Sequence, residues 1–194
     1  GDEAILAAMF AALLAVEVRR GDVEEGPARI AGTLFVLVYV ASFAFLVDLL
    51  LLPAAPHGVQ LAILVVVTAK ATDMGGYLAG KAIGGPKLAP KVSPGKTWAG
   101  FAGGTALAIA IAVVGGGWLA RPLPVVDRVA LGLLLSVAAP LGDLAESLIK
   151  RWLKVKDSSG LVPTFGGTLD MIDSLVLAAP VGYWFLVVRG GIPH

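Results

Sequence analysis

The sequence predicts an all-α protein, a polytopic transmembrane helical bundle of about six spans with its active site at the cytoplasmic membrane face. Three observations carry this: an apolar excess that a soluble fold could not bury, apolar runs of bilayer length, and ionisable residues gathered at one set of span ends.

Hydrophobic residues make up 57% of the 194, charged residues only 15%, and mean hydropathy is +0.86. Soluble domains lie near about 45–50% apolar and about 25% charged. A soluble fold of this size would expose large apolar patches, whereas lipid can solvate them. The absence of cysteine excludes disulfides and thiolate metal ligands. The chain opens at Gly1 directly into an apolar run, with no basic stretch and no small-residue cleavage site. No signal peptide is expected from that, and a shortened N-terminus is.

A membrane-crossing helix needs roughly 20 apolar residues. Six segments qualify as candidates: Ala4–Val18, Ile30–Leu52, Val59–Gly80, Ala99–Leu119, Val125–Ile149 and Leu169–Val188. The first is short. The second is clean except for Asp48, the third contains Lys70 and Asp73, and the fourth is rich in Ala and Gly. The fifth turns polar at Asp143 and Glu146, and the sixth begins with Asp170 and Asp173. All six are assigned to one domain, residues 1–194.

The connections alternate in charge. Arg19, Arg20, Arg29, Lys81, Lys87, Lys91, Lys96, Lys150, Arg151, Lys154 and Lys156 fall on one side, eleven bases, against Arg121, Arg128 and Arg189 on the other. Basic loops stay in the cytoplasm. The expected localisation is therefore a multi-pass integral membrane protein of a bacterial inner membrane, with the charged loops cytoplasmic.

Ionisable groups within a span are costly and mark function or pairing. Three clusters stand out. Lys70 and Asp73, three residues apart, share a helix face and can pair, either to pack two helices or to serve a site. Next comes a loop from Gly84 to Trp98 with three lysines and three prolines. Its Ser93, Lys96 and Thr97 sit beside a helix N-terminus, where hydroxyls, amides and an ammonium suit phosphate. Lys81 and Lys91 read as orienting charges. The third cluster places Asp143, Glu146 and Lys150 on one helical face, with Asp170 and Asp173 on another. Four carboxylates without an equal count of neighbouring bases would repel one another. A divalent cation removes that problem, and oxygen-only ligands favour Mg²⁺. Single carboxylates solvated at helix ends are the alternative. His57 and His194 stand apart from all three clusters, and the tryptophans read as interfacial anchors.

These segments together resemble a known family. Lys87-Leu88-Ala89-Pro90 and Val92-Ser93-Pro94-Gly95-Lys96-Thr97-Trp98, with Gly100, are similar to the K-L-x-P and V-S-P-x-K-T-W-E-G segments of the phosphatidate cytidylyltransferases (CDP-diacylglycerol synthases). Thr72-Asp73-Met74-Gly75-Gly76-Tyr77 resembles their S-D-T-G-A-Y. Gly142-Asp143-Leu144-Ala145-Glu146-Ser147, Lys150-Arg151, Lys156-Asp157 and Leu169-Asp170-Met171-Ile172-Asp173-Ser174 resemble their C-terminal signature.

The resemblance implies a reaction between CTP and phosphatidate that yields CDP-diacylglycerol and pyrophosphate. It implies catalytic roles for Asp143, Lys150, Arg151, Asp170 and Asp173. Asp73, Lys87, Ser93, Lys96, Thr97, Lys156, Asp157, Gly166 and Gly167 would bind substrate. Mg²⁺ would be held by Asp143, Glu146, Asp170 and Asp173, with a second cation such as K⁺ as a further candidate. Expected partners are CTP, phosphatidate and membrane lipids, with homodimerisation a candidate and no nucleic acid. The family also carries further N-terminal spans.

The departures are specific. Phe165 stands where the family has His, Met171 where it has Arg, and Ala99 where it has Glu. Phe and Met cannot contact phosphate as His and Arg do, which predicts nucleotide binding with slow turnover unless Lys150, Arg151 or Lys156 compensates. Two other readings stay open: a CTP-dependent lipid kinase of the polyprenol or phytol type, and a catalytically weak paralogue that binds nucleotide.

Overall fold

The structure, a computed structural model, describes residues 2–51, 58–120, 123–152 and 172–190. Among them are seven helices and one hairpin. The helices are α1 (Asp2–Arg20), α2 (Gly26–Ala41), α3 (Ala44–Leu51), α4 (Gly58–Ile83), α5 (Trp98–Leu119), α6 (Val125–Trp152) and α7 (Leu175–Gly190); strands β1 (Lys87–Ala89) and β2 (Ser93–Thr97) lie between α4 and α5. The chain divides into two compact units, residues 1–41 and 42–194.

In the first unit, α1 and α2 are tied near their linking turn. The buried Glu17 takes Arg20 at 2.9 Å and Arg29 at 3.0 Å, and Arg29 also reaches Asp22 at 3.0 Å. Asp22 accepts the Glu25 N–H at 3.0 Å, and this bond together with Arg29 holds its carboxyl below the usual range.

The stretches long and apolar enough to cross a membrane are Gly26–Asp48, Gly58–Ile83, Trp98–Leu119 and Val125–Arg151; Leu175–Arg189 is apolar but shorter. The membrane-bundle expectation holds, with differences in detail. The first expected span is a helix, but its charges at Asp2, Glu3, Glu17, Arg19 and Arg20 keep it out of that set. The second is broken by a turn at Ser42–Phe43. The sixth is described from Ile172 onward.

Within the second unit α4, α5, α6 and α7 run alternately up and down. Thr72 meets Gly104 and Gly80 meets Gly100; Ile109 meets Gly132; Gly142 meets Asp173 while Asp127 binds Arg189 at 2.7 Å; Val65 meets Gly182. Gly116 also meets Arg128, and Lys70 meets Ser174, so each set of pairings reverses direction along its partner helix. Leu64, Val65, Leu131, Leu135 and Leu186, all essentially inaccessible, fill the space between.

Glycine sets the closest crossing. A Cβ on Gly104 would lie 2.6 Å from the Thr72 carbonyl, one on Gly100 2.6 Å from that of Gly76, and one on Gly103 would fall onto the Ala79 side chain. Small residues four apart let helix backbones touch, as at lipid-facing interfaces generally. Gly76 with Gly80, and Gly100 with Gly104, follow that spacing.

α4 ends at Gly84 and Gly85, whose φ values of 70° and 92° suit residues without a Cβ. The turn feeds the hairpin, in which Lys87 pairs with Thr97 and Ala89 with Ser93 across an irregular register. The basic loop expected from the sequence is thus partly a β-hairpin. It delivers Thr97 to the start of α5, where its Oγ1 accepts the Gly100 N–H at 3.0 Å as an N-cap.

Candidate functional site

The α4–α5 glycine crossing brings α6 and the hairpin against one cavity of about 430 Å³. That lies within the range of small-molecule sites, about 300–1,000 Å³. Its lining joins all three clusters: Asp73 and Tyr77 from α4, Ser93, Lys96 and Thr97 from β2, Asp143 from α6. Gly76, Gly80, Gly100 and Gly104 form a wall of bare backbone. Asp73 stands ten residues before the end of α4 and Asp143 nine before the end of α6. At 1.5 Å per residue each carboxylate lies about 15 Å along its helix from that end. Both carboxylates therefore lie within their helices, not at the tips, with side chains 35% and 29% exposed.

Long-range contacts fix its chemistry. Lys96 Nζ lies 2.8 Å from Asp143 Oδ2 and donates to the Pro140 carbonyl at 3.2 Å. Ser147 Oγ donates to Asp143 Oδ1 at 3.3 Å. One turn along α6, the buried Glu146 meets Lys150 at 3.6 Å. Lys70 meets Asp73 at 3.4 Å and donates to Ser174 Oγ at 2.7 Å. Asp173, also buried, accepts the Ser174 N–H at 2.6 Å and lies near enough to Asp143 and Glu146 to feel both electrostatically.

These contacts correct one step of the sequence argument. Two of the four carboxylates, Asp143 and Glu146, each have a lysine beside them, as does Asp73 on α4. Among the described residues no three acidic side chains gather closely enough to hold a metal ion by themselves. Asp143 and Asp173 lie close enough for their charges to interact. One or two carboxylates suffice for Mg²⁺ when substrate phosphates supply further ligands, so the donor set fits that ion.

Asp73, Ser93, Lys96, Thr97 and Asp143 all line the cavity. Lys87 and Arg151 are exposed and do not line it, and Lys150 serves Glu146. Lys156, Asp157, Gly166, Gly167 and Asp170 lie outside the described residues, as do Phe165 and Met171. Lys81, expected only to orient the chain, lines the cavity with its ammonium 5.7 Å from the Tyr77 ring centre. The glycine wall was also legible, since Gly76/Gly80 and Gly100/Gly104 repeat the small-xxx-small spacing.

The chain matches the model of the cytidylyltransferase family over residues 2–189. It is 41% identical over 152 residues to a phosphatidate cytidylyltransferase of Brucella suis biovar 1 (strain 1330), covering 76% of this chain and 54% of that protein. A phosphatidate cytidylyltransferase of Haemophilus influenzae is 46% identical over 134 residues, 66% of this chain and 46% of that protein. One from Bacillus subtilis (strain 168) is 42% identical over 117 residues, 60% and 44% of the two chains. The chain spans about half the length of the curated relatives it matches.

Proposed function

This chain belongs to the cytidylyltransferase family, and on that premise we propose that it carries the site of a CTP:phosphatidate cytidylyltransferase. A phosphate oxygen of phosphatidate attacks the α-phosphorus of CTP in line. The bond from that phosphorus to the β-phosphate bridging oxygen breaks, pyrophosphate leaves, and CDP-diacylglycerol remains in the membrane. The single observation that supports this best is the cavity in which Lys96, Thr97, Ser93, Asp73 and Asp143 converge from three distant segments.

Such a reaction needs no protein nucleophile. It needs two phosphate groups held in line and their charge offset. Lys96 is placed to exchange its Asp143 partner for a phosphate, and Lys81 adds a second cation at the cavity. Ser93 offers a hydroxyl. Gly76, Gly80, Gly100 and Gly104 line the cavity, and their close packing sets the α4–α5 spacing beside it. Asp143 and Asp173, joined by Asp170, would hold Mg²⁺, which when bound offsets charge on the reacting phosphates. A site at the membrane face would let a lipid headgroup reach the nucleotide without leaving the membrane. The corresponding orientation is cytoplasmic, the side on which eleven of the bases fall.

The test uses the purified chain with phosphatidate vesicles, Mg²⁺ and CTP labelled at the α- or the γ-phosphate. Label from the α position in the lipid fraction is the expected result. Lipid label from the γ position alone would identify a kinase, and CTP binding without lipid label a nucleotide-binding paralogue; either would overturn the reading.

A further inference from the structure

Lys70 is an ionisable residue that the mechanism above leaves without a task. It lies near the middle of α4, twelve residues after Gly58 and thirteen before Ile83. Its side chain is 39% exposed and that of Asp73 35%, and an ammonium within a span is costly unless it has work. Its partners come from two different clusters. Asp73, at 3.4 Å, lines the cavity. Ser174, at 2.7 Å, is 104 residues away and fully buried at the entry to α7. Ser174 in turn gives its N–H to Asp173, and the same turn packs on Gly142, where a Cβ would lie 2.6 Å from the Asp173 carbonyl.

We propose that Lys70 is a positioning residue for the phosphate-transfer site: its ammonium clamps the Asp173–Ser174 turn onto α4 and holds the Asp73 and Asp173 carboxylates at fixed separation, partly neutralised, before a cation and nucleotide arrive. The inference rests on the reading of the site as a cytidylyltransferase centre, but its geometry does not. A packing role would need only a side chain of similar length. A clamp needs a donor that reaches a carboxylate and a hydroxyl together, which Lys and Arg supply and Met does not.

The proposal makes two effects of Lys70→Met move in opposite directions. Releasing the turn lowers kcat, about tenfold or more. Removing a positive charge beside two carboxylates strengthens divalent-cation binding severalfold. Simple loosening of the fold would weaken both.

The experiment compares the parent, Lys70→Met, Lys70→Arg and Ser174→Ala in detergent. Mn²⁺ binding is read by electron paramagnetic resonance, kcat and KM for CTP are measured separately, and thermal unfolding is recorded for each. The expected result is a lower kcat with little change in KM and tighter Mn²⁺ for Lys70→Met. Lys70→Arg should recover kcat to within about threefold, and Ser174→Ala should fall between the two. Parent-like kcat and Mn²⁺ binding in Lys70→Met would overturn the proposal. So would joint loss of kcat and Mn²⁺ binding in Lys70→Met and Lys70→Arg alike, which would mark a structural role. If the parent itself yields no cytidine lipid, the proposed function fails; the Mn²⁺ comparison still reads the clamp alone, and unchanged Mn²⁺ affinity in Lys70→Met then overturns it.

Discussion

Lys96 shows how one side chain can hold two states. It spans Asp143 and the Pro140 carbonyl, with about a fifth of its side chain exposed. A partly screened pair of this kind contributes little to stability. An ammonium that can turn from a carboxylate to a phosphate contributes to the reaction instead. Lys96→Met is therefore expected to leave thermal unfolding nearly unchanged and to lower kcat/KM by roughly a hundredfold or more, the scale of a lost charged contact in the transition state. Lys96→Arg should retain part of the activity, because the guanidinium keeps the charge but not the compact shape. Steady-state kinetics on the three proteins check this, and a loss below about threefold in Lys96→Met would count against the role. Thr97, beside it, caps α5 through the Gly100 N–H. Thr97→Ala should cost about 1 kcal/mol in unfolding free energy, with Thr97→Ser close to the parent.

At the level of elements, the α4–α5 crossing decides whether a cavity exists. Gly104 has no room for a methyl group, since the Thr72 carbonyl would lie 2.6 Å away and the Gly76 nitrogen 3.3 Å away. Neither is the flexible end of a side chain, so the helices themselves must separate. Gly104→Ala should cost about 1–3 kcal/mol as overpacking and should weaken CTP binding, because the wall of the cavity moves with α5. Gly32→Ala, in α2, meets nothing within 4 Å and is the matched control. Denaturant unfolding in detergent, paired with nucleotide titration, separates the two. Equal behaviour of the two variants would mean the crossing is more compliant than its geometry indicates. The hairpin is a second element with a positional task. It turns the chain from α4 to α5 so that Lys96 and Thr97 arrive at the mouth of the crossing.

At the scale of the molecule, the alternation of α4, α5, α6 and α7 places the hairpin and the end of α6 together and the end of α5 and start of α6 at the opposite end. With the basic residues this predicts sidedness. The native chain has no cysteine, so single cysteines report cleanly. Cysteines replacing Ala89 and Ser159 should react with an impermeant reagent from the same side, and one replacing Val126, exposed at the start of α6, from the other. Labelling of Ala89 and Val126 positions from one side would break the alternating arrangement.

The sequence by itself determined the class of molecule and the parts of its site. Apolar runs of bilayer length required helices, because only helices or closed barrels satisfy backbone polar groups in lipid. Helical periodicity alone also placed Lys70 beside Asp73 and Glu146 beside Lys150, at 3.4 and 3.6 Å, since residues three or four apart share a face in any helix. The tertiary structure decided what periodicity does not encode. It joined Lys96 to Asp143 and Lys70 to Ser174, left Lys87 and Arg151 outside the cavity and brought Lys81 to it. It also showed that lysines already stand beside Asp73, Asp143 and Glu146. The physical reason is one of range. A local pair follows from 1.5 Å of rise per residue, whereas a contact between segments depends on how closely helices cross, and here bare glycine backbones set that distance.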